Sequence, residues 1–441
     1  MVNSTFFTSL IGKAVAKLSR IKGGHGSALP GLIVEKLDPH FLAKVLKTLP
    51  RGVAVISGTN GKTTTTKMVV ELLREAGLRV FTNDSGSNFT RGVASAAIRE
   101  IRHGKLNYDI AVLELDEAHA VRFVREIPPD YSLLLNVLRD QLDRFGEIDM
   151  TAKMLNEIAK TTSRKLVLNA NDPRISALAK SSQAAVSCFG FANNLRELFP
   201  TDEELHDKNS KLSSSHLLRG SREKDSRSKS ENDGNFSFAN DEIILEKVEN
   251  SHATFQIGGE NFVANMAISG AHNFLNAAAA LSFAKAILGE KFDARKSVET
   301  VSRSRAAFGR GENFVLKNGQ KIALNLVKNP AGFRLVLQSA DAKIPTLIVI
   351  NDAYADGRDV SWLYDVDFAK FRENSQIFVS GIRAFDMALR LEYDDVKVRE
   401  IDTEIRESLL RFLNQNEMNL QIFATYTAML EMRKILKQEI R

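Results

Sequence analysis

Short, uninterrupted apolar runs alternate along this chain with stretches whose apolar residues recur three and four positions apart. The runs at residues 53–57, 110–115, 132–136, 166–169 and 184–189 have the length of strands buried on both faces. Between them, residues 62–76, 118–126 and 151–161 carry the helical spacing. Strand and helix in alternation predict an α/β fold, with a mostly parallel sheet covered by helices on both sides.

The texture changes over residues 194–235, a stretch rich in Ser, Lys, Arg, Asp, Glu and Asn that buries little surface and is expected to form a mobile insertion. Alternation resumes at 242–248 and 253–257, before a long helical pattern over 273–288. A second α/β unit begins near Lys321, with strand candidates at 322–326, 346–350, 376–379 and 421–424. The expected division is a lead segment over 1–50, a central domain over 51–315 and a C-terminal Rossmann-like domain over 316–441. In the lead, residues 4–21 mix apolar positions with Lys13, Lys17 and Arg20. That pattern predicts an amphipathic helix that docks on the central domain or touches a membrane surface.

Composition narrows the class. The 441 residues are 44% hydrophobic and 26% charged, as in globular proteins, and exceed one ordinary core. No uncharged apolar run approaches the roughly 18 residues that span a bilayer. A single cysteine, Cys188, excludes an intramolecular disulfide and a cysteine-only metal cage. It fits a reducing cytoplasm, and its apolar strand points to a buried core thiol. The net charge of +6 suits an anionic lipid-linked substrate, and no nucleic-acid partner is expected.

The strongest local signal is Gly58-Thr59-Asn60-Gly61-Lys62-Thr63-Thr64, directly after a strand and opening a helix. Backbone amides in such a turn, with the helix N-terminus, form a site for phosphate oxygens. Gly58 and Gly61 let the backbone approach closely. Lys62 can neutralise the β- and γ-phosphates of a nucleotide, and the Thr63 hydroxyl can ligate Mg²⁺. Glu114, ending the 110–115 run, is the candidate second protein ligand, at the carboxyl edge of the sheet where open α/β folds bind. Asp116 and Glu117 follow it; Asp116 is an alternative candidate for the metal site, and either can cap the next helix.

These residues together resemble the Mur ligase superfamily, whose phosphate loop reads GTNGKT. Asn136 with residues 140–146, residues 168–173, Gly270-Ala271-His272-Asn273 with Asn276, Gly309-Arg310 and Lys328-Asn329-Pro330 are similar to that superfamily's later segments, in order. Finer similarities point to its MurT branch. They include Asn329-Pro330-Ala331-Gly332, residues 351–367 and Thr425-Tyr426-Thr427. The resemblance implies ATP and Mg²⁺ as cofactors, with Asn273 and Asn276 against the adenine and Arg310 near the phosphates. It implies an acyl phosphate on the D-glutamate α-carboxylate of the lipid II stem peptide. Ammonia from a glutaminase subunit, GatD, then displaces the phosphate to leave D-isoglutamine. Related chains often carry a four-cysteine zinc ribbon where this one has its cysteine-free insertion, so structural zinc is not expected. Gln141 stands where peptide-forming Mur ligases usually have a metal-contacting His, which leaves a second magnesium site open.

Other features bear on the same reaction. About 50 residues precede the phosphate loop, fewer than a nucleotide-sugar domain needs, which favours a lipid-linked or unlinked substrate. Cys188 lacks the Gly-flanked turn of a glutaminase nucleophile, so an amide made from glutamine requires a second polypeptide. Residues 351–359 place Asp352, Asp356 and Asp359 beside Gly357 and Arg358 after a strand, which suits a site loop. Resemblance implies that Asp359 orients the partner's catalytic His, with Asp352 and Asp356 as alternatives. Trp362 reads as core or interface. The expected catalytic set is Lys62, Glu114 and Asp359. Two other readings remain at this level: an amino-acid-adding ligase of the folylpolyglutamate type, and an ATP-binding scaffold without catalysis.

Overall fold

The computed structural model describes residues 4–21, 29–83, 90–138, 148–199, 242–268, 270–305, 310–416 and 419–439. Residues 140–146 with Gln141, and most of the polar stretch, lie outside the described residues. Its first residues form a 3₁₀ turn, Asn193–Leu198, anchored by buried Leu195.

Two sheets are present among the described residues. The first contains β1 (Val53–Ser57), β2 (Val80–Thr82), β3 (Ile110–Glu114), β4 (Tyr131–Leu134), β5 (Lys165–Asn169), β6 (Ala185–Phe191), β7 (Ile243–Glu249), β8 (His252–Ile257) and β9 (Glu260–Asn265). Their order is β2-β3-β1-β4-β5-β6-β7-β8-β9. Pairing is parallel from β2 to β7 and antiparallel from β7 to β9. The chain leaves β1 toward one edge and returns past it to β4, so the crossover direction reverses around β1. Ligands of open α/β sheets bind at the carboxyl end of such a position.

All five residues of β1 are buried, alternating between two cores. Ala54 and Ile56 face one core, which the Lys62–Glu75 and Ala271–Leu288 helices cover. Val53 and Val55 face the other, beneath the Phe41–Leu46, Thr90–Glu100 and Glu117–Glu126 helices. Burial on both faces explains why the parallel strands read as continuous apolar runs. The Ala271–Leu288 helix is nearly apolar all round, and its run Ala277 to Ala280 lets it lie close to the sheet.

The second sheet contains β10 (Arg310–Val315), β11 (Lys321–Leu326), β12 (Thr346–Val349), β13 (Ile377–Ser380), β14 (Glu400–Asp402) and β15 (Leu420–Ala424), in the order β10-β11-β15-β12-β13-β14. It is parallel except for β10 against β11. The sheet begins at Arg310, earlier than alternation from Lys321 suggests, because β10 is an edge strand with exposed Val315. Trp362 is buried in its core with Phe333 and Phe368.

Candidate active site

β1 ends at Ser57 and the Lys62–Glu75 helix starts at Lys62, so residues 58–61 make the turn between them. Gly58 and Gly61 have φ of +131° and +89°, backbone that side chains disfavour. A Cβ on Gly58 would meet the Asn136 backbone N at 3.0 Å, and one on Gly61 would fall 2.3 Å from Asn276 Oδ1. Asn136, just past β4, fixes the turn from the side. Its Oδ1 accepts from Asn60 N at 2.9 Å, and its Nδ2 donates to Asn60 O at 3.0 Å. Its backbone oxygen accepts from Thr59 N at 3.0 Å. Thr65 N donates to Gly61 O, so the amides of Lys62, Thr63 and Thr64 head the helix and face the turn. Such an end attracts anionic oxygens.

Lys62 is buried, and its Nζ donates to Gly58 O, to Thr59 O at 3.3 Å and to Glu117 Oε2 at 3.2 Å. Glu117 is also buried, so the two charges are paired inside the protein. A helix-capping role was one expectation for Glu117; the structure gives it to Lys62 instead. Asp116 occupies the N-cap position without a side-chain cap bond and lies 3.5 Å from His119 Nδ1.

Thr63 Oγ1 donates to Glu114 Oε1 at 2.9 Å. Asn83 holds Glu114 by accepting from its N–H at 3.0 Å and donating to its C=O at 2.8 Å. A hydroxyl and a carboxylate in contact, beside an amide-lined turn, are hard oxygen donors that fit a magnesium ion carrying phosphate and water ligands. Among the described residues no group of three His, Cys, Asp or Glu could hold a metal. The Asn60 Nδ2 is buried without a hydrogen-bond partner, as an amide awaiting a ligand would be.

A cavity of about 150 Å³ opens beside the turn. Asn60, Asn136, His272 and Asn276 supply polar groups, while Phe191, Phe199 and Leu275 supply apolar surface. That mixture suits a flat heteroaromatic base. Asn273 does not line the cavity; it is buried behind Asn276, whose Nδ2 donates to Asn273 Oδ1 at 3.5 Å. Asp172 also lines the cavity, accepting from Val137 N, Arg174 N and Ile175 N. Burial pushes its carboxyl above the usual range against those donors. Arg310 opens β10, and Gly309 lies outside the described residues.

The second sheet reaches this turn. Lys328 Nζ lies 3.5 Å from Thr59 O, and Asn329 Nδ2 donates to Asn60 Oδ1 at 3.2 Å. Leu335 adds to the cavity wall. Farther off, the three aspartates after β12 separate by partner. Asp352 is bridged to Arg383 at 2.7 Å, and Asp356 is buried and accepts from Thr427 N and Oγ1. Asp359 is half-buried and accepts from Ser361 N at 2.8 Å. Cys188 is buried in β6, and desolvation, with Glu242 adding to it, pushes its thiol up to about 12. Such a thiol is a poor nucleophile.

Sequence reasoning found the loop and Glu114 because they lie at a strand end. It missed Glu117 and Asn83 in their observed roles, since their partners are distant in sequence and carry no local spacing.

Residues 56–226 match the model of the Mur ligase middle domain, and residues 326–429 that of the MurT ligase C-terminal domain. The chain is 32% identical to the lipid II isoglutaminyl synthase (glutamine-hydrolyzing) subunit MurT of Streptococcus pneumoniae, over 95% of this chain and 94% of that protein. It is 31% identical to the subunit of the same name from Staphylococcus aureus, over 88% and 87%. Among solved structures, MurF ligase from Thermotoga maritima in complex with ADP superposes with a TM-score of 0.63 at 16% identity, over 90% of this chain and 83% of that one. Mycobacterium tuberculosis folylpolyglutamate synthase complexed with ADP and AMPPCP gives 0.60 at 15%, over 91% and 94%. Phosphate-binding turn, two α/β sheets and near full-length similarity converge, and the chain belongs to the MurT family of the Mur ligase superfamily.

Proposed function

We propose that this chain is the synthase subunit of a lipid II-amidating ligase, using ATP to convert the D-glutamate α-carboxylate of the stem peptide to D-isoglutamine. One carboxylate oxygen attacks the γ-phosphorus and ADP leaves; ammonia then attacks the acyl carbon and phosphate departs. Within the Gly58–Thr64 turn the amides of Lys62, Thr63 and Thr64 bind the phosphates, Lys62 offsets their charge, and Glu117 holds that lysine in place. Thr63 and Glu114 would hold Mg²⁺, which would supply positive charge against the triphosphate. Asn276 and the neighbouring cavity take the base, with Asn273 behind it, and Arg310 serves the phosphates. The observation that carries the reading is the 2.9 Å contact of Thr63 with Glu114 at the mouth of an amide-lined turn.

Ammonia comes from a GatD-type glutaminase subunit, since Cys188 is buried and its thiol strongly raised. The C-terminal unit is its docking site. Asp359 is the aspartate there that is neither bridged to an arginine nor locked by Thr427, and it is the one we assign to the partner's histidine. In the same unit, Ile382, Phe385, Leu389 and Tyr393 form an exposed apolar stripe on and flanking the Ala384–Glu392 helix, whose preceding Arg383 is bridged to Asp352. No helix among the described residues is long and apolar enough to cross a membrane. The enzyme works on the cytoplasmic face, where its lipid-linked substrate is presented.

The test supplies lipid II, ATP-Mg²⁺ and glutamine with the glutaminase subunit, then ammonium chloride without it. Wild type amidates under both conditions, and Lys62→Ala under neither. Turnover by Lys62→Ala near the wild-type rate would refute the assignment. Product formed with glutamate but not with ammonia would point to an amino-acid-adding ligase.

A further inference from the structure

The Ser4–Ile21 helix turns its small residues inward and its large ones outward. It packs on the Leu29–Leu37 and Thr90–Glu100 helices. Thr8, Ser9 and Gly12 are buried there, and a Cβ on Gly12 would come 2.8 Å from Val34 Cγ2 and 3.1 Å from Ile98. That contact is too close for a large side chain to turn in. Phe7, Leu10 and Ile11, one helical face, are 55%, 55% and 44% exposed, with Phe6 next to them. Two turns beyond Leu10 the same face carries exposed Lys17. A helix that merely covered the domain would be arranged the other way round.

Charge is concentrated in the same segment. Residues 1–50 contain seven Lys or Arg and two Asp or Glu, so they hold +5 of the chain's net +6, while the other 391 residues are almost neutral. Large apolar side chains on one face, followed by lysine on a locally basic segment, match the headgroup region of an anionic bilayer. A second protein surface would be expected to meet such a face with carboxylates, and the charge does not favour a further copy of this basic segment.

We infer that the outer face of the Ser4–Ile21 helix is a docking surface for an anionic lipid bilayer, holding the enzyme where a membrane-anchored substrate is presented. This deepens the proposed function and rests on it for its purpose, but not for its test. The full chain is mixed with vesicles of equal parts phosphatidylglycerol and phosphatidylcholine, without lipid II, and sedimented. We expect it to pellet with these vesicles, to remain soluble with phosphatidylcholine alone, and to be released by salt. The variant Phe7→Ser/Leu10→Ser/Ile11→Ser should lower the partition coefficient about tenfold or more, with the melting temperature unchanged. Lys17→Glu should weaken binding on anionic vesicles. Failure of the wild type to pellet, or equal partition of the triple variant, would overturn the inference. So would loss of self-association or of glutaminase binding by that variant in light scattering, which would assign the face to a protein. Because the vesicles carry no substrate, a wrong function would leave the binding result intact.

Discussion

Gly61 is where backbone geometry and ligand site meet. Its φ of +89° suits glycine, and any Cβ would sit 2.3 Å from Asn276 Oδ1. Gly61→Ala therefore strains the turn by about 1–3 kcal/mol and displaces a cavity wall at once. ATP affinity should fall at least about tenfold, read by calorimetry, and an unchanged dissociation constant would contradict the site. Asp356 offers a residue-scale test of a different kind. Burial raises its carboxyl above the ordinary range, against the bonds from Thr427 and Ala353 that lower it. A carboxyl raised in the folded state binds its proton more tightly there than in the unfolded chain. Its stabilising contribution is thus complete below the unfolded value and is lost as pH rises through the folded one. Asp356→Asn removes that titration, so its melting temperature relative to wild type should climb as pH rises out of the ordinary carboxylate range and through the raised folded-state value. A pH-independent difference would show that Asp356 does not titrate as described.

At the scale of elements, the Ala384–Glu392 helix buries Ala384, Met387 and Leu391 while exposing Phe385 and Leu389 on the opposite side. Leu389→Glu puts a charge into the centre of the proposed partner surface. It should weaken association with the glutaminase subunit about tenfold or more in a binding titration, with ATP affinity as in wild type. Equal association would remove the helix from the interface. The apolar spacing predicts the sheets but not this helix. Every strand expected from an apolar run is present, and four others escaped notice: β2, β9, β10 and β14. Those four are the outer strands of the two sheets. An edge strand pairs on one side and can stay largely exposed, as Glu260–Asn265 does, so it needs no continuous apolar run; β2 and β14 are only three residues long, too short for such a run to register. The phosphate loop was readable because its chemistry is contiguous, from Gly58 to Thr64. The clamps on it were not, because Asn136 and Glu117 reach it through tertiary structure.

Across the whole molecule, the two sheets meet at the nucleotide site through Lys328, Leu335 and an asparagine with two roles. Asn329 caps the Pro330–Ser339 helix, its Oδ1 accepting from Gly332 N at 2.7 Å. The other end of the same side chain donates to Asn60 Oδ1 across the domain boundary at 3.2 Å. The roles can be separated chemically, because aspartate caps a helix as well as asparagine does but has no amide to donate. Asn329→Asp should keep the fold, with a melting temperature close to that of wild type. It would also replace an attractive contact at Asn60 with two facing acceptors and set a carboxylate near the proposed phosphate site. Opposed negative charge and a lost cross-domain bond act in the same direction, so ATP affinity and amidation should fall together, by about tenfold or more. Asn329→Ala gives the complementary result: a lost cap costs about 1 kcal/mol and lowers the melting temperature, without adding charge near the phosphates. If Asn329→Asp amidates at the wild-type rate, the bond between the domains has no part in assembling the site. If it fails while Asn329→Ala retains most activity, the charge beside the turn, rather than the lost bond, is what the reaction does not tolerate.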